Sequence, residues 1–327
     1  MPRLFWPNFD FEHELAAGQN WQPTAKLQTL NGRFAAVFLS LCADDDLIVL
    51  PSHQPELTAG SENIHVIDEK SVRESDEFLG ARWELVPWGV TDSLQTLADH
   101  RGWKWDHTDT KIVMRLNDRL GSFAWEQASG TLPIGAAMIE SEEALSEALI
   151  NLPTSRWIIK ARFGMSTRER IVGSTGKLSD SQRGWIRKRL REQRAIFLEP
   201  WLEIDSEVGL QFDIPKAGDV KFLAALPLLN SETGEYRGSR LHLTEGEQDL
   251  WQPAIDFGLQ FAVQIQELGY FGPLGIDACQ YRSRGELIIR PMMDINARWT
   301  MGRIAYEWIQ RFGLPEATEW LITDVVS

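Results

Sequence analysis

The sequence predicts a mixed α/β (α+β) protein, and three observations point there. Apolar runs of strand length alternate with segments whose apolar residues recur every three or four positions, as on one helix face. Two capping boxes, Ser179 with Gln182 and Thr244 with Glu247, mark helix starts. Near the C-terminus, apolar runs at 275–280 and 286–289 read as strands able to pair antiparallel. At 327 residues the chain is long enough for two or three domains or subdomains.

Residues 1–108 read as a small α/β unit. Thr24 caps a helix carrying Leu27, Leu30, Phe34, Val37, Phe38 and Leu41 at helical spacing. Strands are expected at 47–50, 64–67 and 83–86, and Thr91-Asp92 starts a helix through Leu94, Leu97 and Ala98. Residues 103–107 form the linker. The second unit, 109–195, opens with helical segments around 111–116 and 120–127, the latter closed by Gly130. Ser141 caps a helix with Leu145 and Leu149, and strands follow at 156–161 and 170–172 on either side of a Gly/Ser-containing loop. The Ser179 box introduces a basic helix over 183–194, read as a solvated face. In the third unit, 196–327, strands are expected at 196–202, 207–214, 220–227, 275–280 and 286–289. The Thr244 box precedes a helix carrying Trp251, Ile255, Leu259, Ala262 and Leu268.

The formal net charge of -14 argues against a general nucleic-acid surface. No apolar run approaches a membrane span, and the first residues lack a long apolar signal-like stretch. Cys42 and Cys279 lie far apart without disulfide-like or metal-like spacing, which fits a reduced, cytoplasmic protein. The fourteen tryptophans are not interleaved with basic residues, so they read as packing rather than a base-stacking platform.

Chemistry concentrates in Arg290-Pro291-Met292-Met293-Asp294-Ile295-Asn296-Ala297-Arg298. In an extended strand, residues two apart share a face, so Asp294, Asn296 and Arg298 point together. A carboxylate beside an amide oxygen is hard-oxygen ligation suited to Mg²⁺, and an antiparallel partner strand brings Asp277 to the same ion. Arg298 offers a planar fork to a phosphoryl or carboxyl oxygen. Taken alone, Asp294 and Asn296 equally fit strand-end caps. Lys160 ends a strand that runs into Ala161-Arg162-Phe163-Gly164-Met165-Ser166-Thr167-Arg168, a combination able to hold phosphates. An apolar strand then carries Glu199, Trp201 and Leu202, with Glu207 beyond it.

In this order the pieces resemble the ATP-grasp superfamily, and within it the carboxylate–amine ligases that include D-alanine–D-alanine ligases. The resemblance covers about residues 110–305 and implies a pre-ATP-grasp α/β domain followed by a two-subdomain ATP-grasp fold. It implies that Asn117-Asp118-Arg119 matches an Asn/Met-Asp-Lys element, with Arg119 at the phosphate lysine's position. Lys160 matches the second phosphate lysine. Gly164, Ser166 and Arg168 match a mobile phosphate loop, Glu199, Trp201 and Leu202 the adenine hinge, and Glu207 the ribose acid. Asp277, Asp294 and Asn296 match the metal triad, where the second acid is usually a longer glutamate. Arg298 matches a catalytic arginine. The implied ligands are ATP with Mg²⁺ or Mn²⁺, and the implied partners a small-molecule carboxylate and an amine, such as an amino acid or peptide.

Other patterns are weaker. Gly173-Ser174-Thr175-Gly176-Lys177-Leu178 fails as a P-loop, having no glycine five before Gly176 and Leu178 in place of Ser/Thr. Arg237 and Arg240 fit either contacts to phosphate or substrate carboxylate, or ordinary loop charges. Asn8, Asp10, Glu12, His13 and Glu14 either face an acceptor substrate or start a helix, with the helix start favoured. The rival functions are a carboxylase or phosphotransferase on the same fold, and a non-catalytic nucleotide-binding protein.

Overall fold

Three sheets organise the chain. The computed structural model describes residues 1–18, 21–51, 66–164, 169–174, 176, 178–231, 234–315 and 318–322. The first sheet is parallel, in the order β3-β2-β1-β4, from β1 (Arg3–Trp6), β2 (Leu47–Leu50), β3 (Val66–Asp68) and β4 (Glu84–Pro87). Both its faces are covered, so its strands are apolar at nearly every position. Leu4 and Trp6 point into a cluster with Val49, Leu85, Leu94 and Trp103. Phe5 points the other way, with Ile48, Leu50 and Val86. Asp46 clasps the start of β1. Its carboxylate accepts from the Arg3 backbone N–H at 2.7 Å, Arg3 Nε at 3.0 Å and Arg3 Nη2 at 2.6 Å.

Helix α1 (Phe11–Ala17) follows β1. Helix α2 (Ala25–Phe34) starts at the expected Thr24 cap, whose Oγ1 accepts from Leu27 N–H at 3.3 Å. It stops seven residues short of Leu41 and tightens into a 3₁₀ turn, Ala35–Ser40. Residues three apart eclipse in that geometry, and this sets Ala35 and Phe38 together against the first sheet. Helices α3 (Glu69–Glu74) and α4 (Asp92–Arg101, capped by Thr91) complete the unit.

The second sheet is antiparallel, in the order β5-β8-β6-β7: β5 (Ala137–Ile139), β6 (Arg156–Ala161), β7 (Arg170–Ser174) and β8 (Ile196–Pro200). Helices α7 (Glu142–Ile150, capped by Ser141) and α8 (Asp180–Gln193, opened by the Ser179 capping box) cover it, with Leu145 of α7 and Ile186 of α8 joining Trp157, Ile159 and Leu198 in one core. Two sequence assignments change here. The strand expected at 196–202 ends at Pro200 and pairs with β5 and β6, so it belongs to the second sheet rather than opening the third unit. Helices α5 (Thr110–Asn117) and α6 (Arg119–Ser129), expected with the second unit, pack on the third sheet. Both lie against its 286–296 strand, and Trp125 meets Phe261 of the helix covering that sheet at right angles, 5.1 Å away.

The third sheet has the order β13-β12-β9-β10-β11-β14: β9 (Glu203–Ile214), β10 (Lys221–Asn230), β11 (Tyr236–Arg240), β12 (Gly272–Ser283), β13 (Glu286–Asn296) and β14 (Glu319–Leu321). Helix α9 (Glu245–Glu267), with its Thr244 capping box, lies on the face that carries Phe212 and Ile276. Helix α10 (Met301–Phe312, capped by Thr300) lies on the opposite face, where Thr300 donates to Gln211 at 2.6 Å. The apolar core of the third sheet is continuous with that of the first, from Phe5, Phe38 and Trp88 to Phe212, Trp251 and Phe261. Among the described residues no helix is long and apolar enough to cross a membrane.

Gly258 lets α9 approach the sheet, because a Cβ there would come within 2.6 Å of the buried Phe212 ring. Gly258→Ala is expected to cost about 1–3 kcal/mol through overpacking. It should lower the urea midpoint at unchanged m-value, and a midpoint equal to wild type would refute the close fit.

Candidate functional site

The face of the third sheet opposite α9 carries the charged residues. Antiparallel register sets Asp277 on β12 directly opposite Asp294 on β13, and Gly275 opposite Asn296. On the other side of β12, Asp277 faces Gly209, a residue without a side chain to crowd the carboxylate. A bulge follows, with one residue on β12 (Ala278) spanned by three on β13 (291–293). Pro291 lies in it, where no ladder N–H is needed. Asn296 Nδ2 donates to Asp277 at 3.2 Å, and Asn296 Oδ1 accepts from Arg298 Nη2 at 2.7 Å. Burial first, and then the Asp294 charge, push the Asp277 carboxyl up to about 7.

The donor set is therefore two opposed carboxylates and an amide. Among the described residues no group of three His, Cys, Asp or Glu side chains gathers. Two carboxylates plus an amide oxygen still fit a hard dication that completes its shell with water and phosphate, as Mg²⁺ or Mn²⁺ does. A dication would also offset the burial and the Asp294 charge that together raise the Asp277 carboxyl. Asn296 must turn its amide over to present oxygen on the Asp277 side.

Arg119 links this strand to the second sheet. Its Nη2 donates to Asp294 Oδ2 at 3.0 Å and its Nη1 to the Ala161 carbonyl at the end of β6. Its neighbours hold it there. Asp118 caps α6 through Leu120 N–H at 3.0 Å and pairs with Arg162. Asn117 accepts from Ala297 N–H at 3.1 Å, tying α5 to the end of β13. Gly164 follows β6 and approaches Glu169 so closely that a Cβ would lie 2.8 Å from that side chain. Ser166 and Arg168 lie outside the described residues.

Lys160 and Glu199 belong to a buried ion network that the sequence did not announce. Lys160 Nζ lies 3.0 Å from Glu199 Oε1 and 3.2 Å from Oε2. Arg290 Nη1 donates to Glu199 Oε2 at 2.8 Å, while its Nε and Nη2 fork onto Glu126 at 2.6 and 2.7 Å. Arg290 is 1 % exposed and Glu126 2 %, so these are true interior charges. Burial works to raise Glu199, but Arg290 and Lys160 outweigh it and hold that carboxyl well below the usual range. In Glu126 burial dominates and raises the carboxyl despite Arg290. Glu207, on β9 opposite Cys279, accepts from Asn230, and burial raises it against the pull of Asn230, Lys160 and Arg170. Trp201 and Leu202 form the link from β8 to β9, with the Arg156 guanidinium 4.2 Å over the Trp201 ring. The one available sequence signal was Arg290 itself, a long cation inside an apolar strand, which must find partners when buried.

A second missed contact comes from the first unit. Helix α1 starts at Phe11, as the favoured reading had it, yet Glu12 also turns inward to the site. Its Oε1 accepts from Arg298 Nε at 3.1 Å and Nη2 at 2.9 Å. Its Oε2 is buried without a hydrogen-bond partner, and burial raises the carboxyl even with Arg298 beside it. Arg298 rests near the Phe11 and Trp88 rings, and the Trp299 N–H donates to the Trp88 carbonyl at 3.2 Å. Arg237 and Arg240 lie on β11 rather than in a loop, and they pair with Glu235 and Glu247.

No protein-family model matches the sequence, and no curated protein matches it. Solved structures do. N5-carboxyaminoimidazole synthetase from Staphylococcus aureus, complexed with ADP, is 13% identical. It matches over 98% of this chain and 79% of its own, at a TM-score of 0.52. Biotin carboxylase from Campylobacter jejuni, in a β-γ-ATP complex, is 11% identical over 98% and 73%, at 0.54. An ATP-grasp superfamily protein from Archaeoglobus fulgidus is 15% identical over 97% and 87%, at 0.51. The chain has the ATP-grasp fold, as the sequence resemblance implied.

The raised Asp277 carboxyl makes a pH prediction for the metal-free protein. A folded pKa near 7 against an unfolded value of about 4 means the folded state holds an extra proton between them. That contribution to stability is fully present below pH ~4 and is lost as pH rises through about 7. Asp277→Asn should flatten this loss, and Mg²⁺ should offset it in the wild type alone. Urea melts from pH 5 to 8 that run parallel for both proteins would refute the assignment.

Proposed function

We propose that this protein is an ATP-dependent, ADP-forming ligase that joins a small-molecule carboxylate to an amine through an acyl phosphate. The observation that carries the proposal is the convergence, on one sheet face, of Asp277, Asp294 and Asn296 with Arg119, Arg298 and Glu12. The fold supports it, since solved neighbours are named as a synthetase and a carboxylase in complex with ADP or ATP.

Lys160 and Arg119 neutralise the phosphate chain, and the β8–β9 link at Trp201-Leu202 borders the base, with Glu207 toward the ribose. Asp277, Asp294 and Asn296 would hold Mg²⁺ or Mn²⁺, which when bound would supply charge neutralisation at the transferring phosphoryl. A carboxylate oxygen of the substrate forms a bond to the γ-phosphorus while the bond to the β-phosphate oxygen breaks, giving ADP and an acyl phosphate. Arg298 balances the charge on the transferring group and then on the tetrahedral oxyanion. The amine attacks the acyl carbon, the C–O bond to phosphate breaks, and the proton shed by the nitrogen passes to the departing phosphate. Two unpaired cysteines fit a cytoplasmic setting.

Hydroxylamine intercepts an acyl phosphate as a hydroxamate. With ATP, Mg²⁺ and a panel of carboxylates, hydroxamate and ADP are expected in equal amounts for the cognate acid. Arg298→Ala should reduce both by on the order of a hundredfold while ATP affinity stays within a few-fold. AMP with pyrophosphate would overturn the reaction class in favour of adenylation. ADP without trappable acyl group would make the protein a phosphotransferase.

A further inference from the structure

We infer that Arg290 and Glu126, which need touch no substrate, are positioning residues for Lys160 and so set the affinity for the nucleotide's phosphates. The inference rests on the phosphate-binding role proposed for Lys160. Four charges alternate along the buried chain Glu126, Arg290, Glu199, Lys160, two acids and two bases. Such chains are poor sources of net stability, because desolvation of each charge offsets its attraction to the next. Their geometry is what they fix.

Two features give that geometry a direction. Glu126 takes both Nε and Nη2 of Arg290 in one fork, which leaves Nη1 aimed at Glu199 Oε2 at 2.8 Å. Arg290 thereby engages the oxygen that lies farther from Lys160, 3.2 Å against 3.0 Å for Oε1. With Arg290 present, Glu199 divides its charge between two cations and Lys160 keeps positive charge for an anionic ligand. Without Arg290, the whole Glu199 charge falls on Lys160, already 3.0 Å away, and the ammonium has less left for an anionic ligand.

The chain also joins the second and third sheets. Arg290 lies on β13, four residues before Asp294, and Glu126 on α6, which packs on the third sheet. Lys160 and Glu199 lie on β6 and β8 of the second sheet. The same guanidinium therefore ties the candidate phosphate lysine to the candidate metal strand. A phosphate chain held at one end by Lys160 and at the other near Asp294 would feel any slip between them.

A double-mutant cycle tests this. Lys160→Met, Arg290→Met and the double variant, each checked for folding by circular dichroism and melting, are titrated calorimetrically with ATP and with adenosine. Arg290→Met should weaken ATP binding about tenfold or more and leave adenosine binding within about twofold. In the Lys160→Met background, Arg290→Met should weaken ATP less than about threefold further. Glu126→Gln, which keeps shape and one acceptor, should show the same selective pattern more weakly, and it decides the matter if Arg290→Met does not fold. Equal losses for ATP and adenosine, or full effects that multiply in the double variant, would reduce the chain to a structural role and overturn the inference. Unchanged ATP affinity in folded Lys160→Met would instead remove the phosphate-site reading on which it rests.

Discussion

The opposition of Asp277 and Asp294 across β12 and β13 is the constraint on which the rest of the site depends. Like charges directly opposite on neighbouring strands destabilise a sheet, and here one of the two is also desolvated. The surrounding structure answers with cations and donors drawn from distant parts of the chain. Arg119 reaches Asp294 from the start of α6, Asn296 reaches Asp277 from the strand itself, and Arg298 engages Asn296. Glu12 then balances Arg298 from the first unit. An acid pair that would weaken an isolated hairpin thus gathers α1, α6 and two sheets around it. Sites under such electrostatic strain are where function is expected to lie.

The three sheets contribute unequally to that arrangement. The third supplies the acids, and the second supplies Lys160, Glu199 and the Ala161 carbonyl on which Arg119 is anchored. The first supplies a packing surface and Glu12. Its Phe5, Phe38 and Trp88 share a core with Phe212 and Trp251, and this continuity makes Glu12 a dependable partner for Arg298. A unit joined only by a flexible tether would leave the Arg298 fork to find its own orientation.

What the sequence made legible was local. Capping residues Thr24, Thr91, Ser141, Ser179 and Thr244 all lead their helices, because a cap is a contact between residues a few positions apart. Asp277, Asp294 and Asn296 were legible together because strand alternation and hairpin pairing are local rules. The ion chain was not, since Glu126 and Arg290 stand 164 positions apart and no period connects them. Glu12 and Arg298, 286 positions apart, were hidden for the same reason. Strand β1 went unassigned because four residues buried on both faces and ended by Pro7 carry no alternation. Strand β11 holds glycine and few apolar residues, and β14 is only three residues at the sheet edge, so their pairing comes from the sheet they join. Helix α10 is a different case. Ile304, Ala305, Trp308 and Ile309 behind Thr300 are a helical pattern that sequence reasoning could have used.

Arg119 stands where the resemblance implies a lysine, and the geometry gives the difference a meaning. A lysine would bring one ammonium to the cleft, whereas the guanidinium fork meets the Ala161 carbonyl and Asp294 at once. It does so through Asp294 Oδ2, leaving Oδ1 as the oxygen free to turn toward a cation. Asp294 is also one methylene shorter than the glutamate usual at that position, so its carboxylate reaches less far from the strand. The two departures suit each other, since a short acid fixed on one side by arginine offers a single defined oxygen. A longer carboxylate could have held a cation with both. On the proposed reading, Arg119 therefore serves the phosphate chain and limits how Asp294 meets the metal. Substituting lysine there would change both properties together.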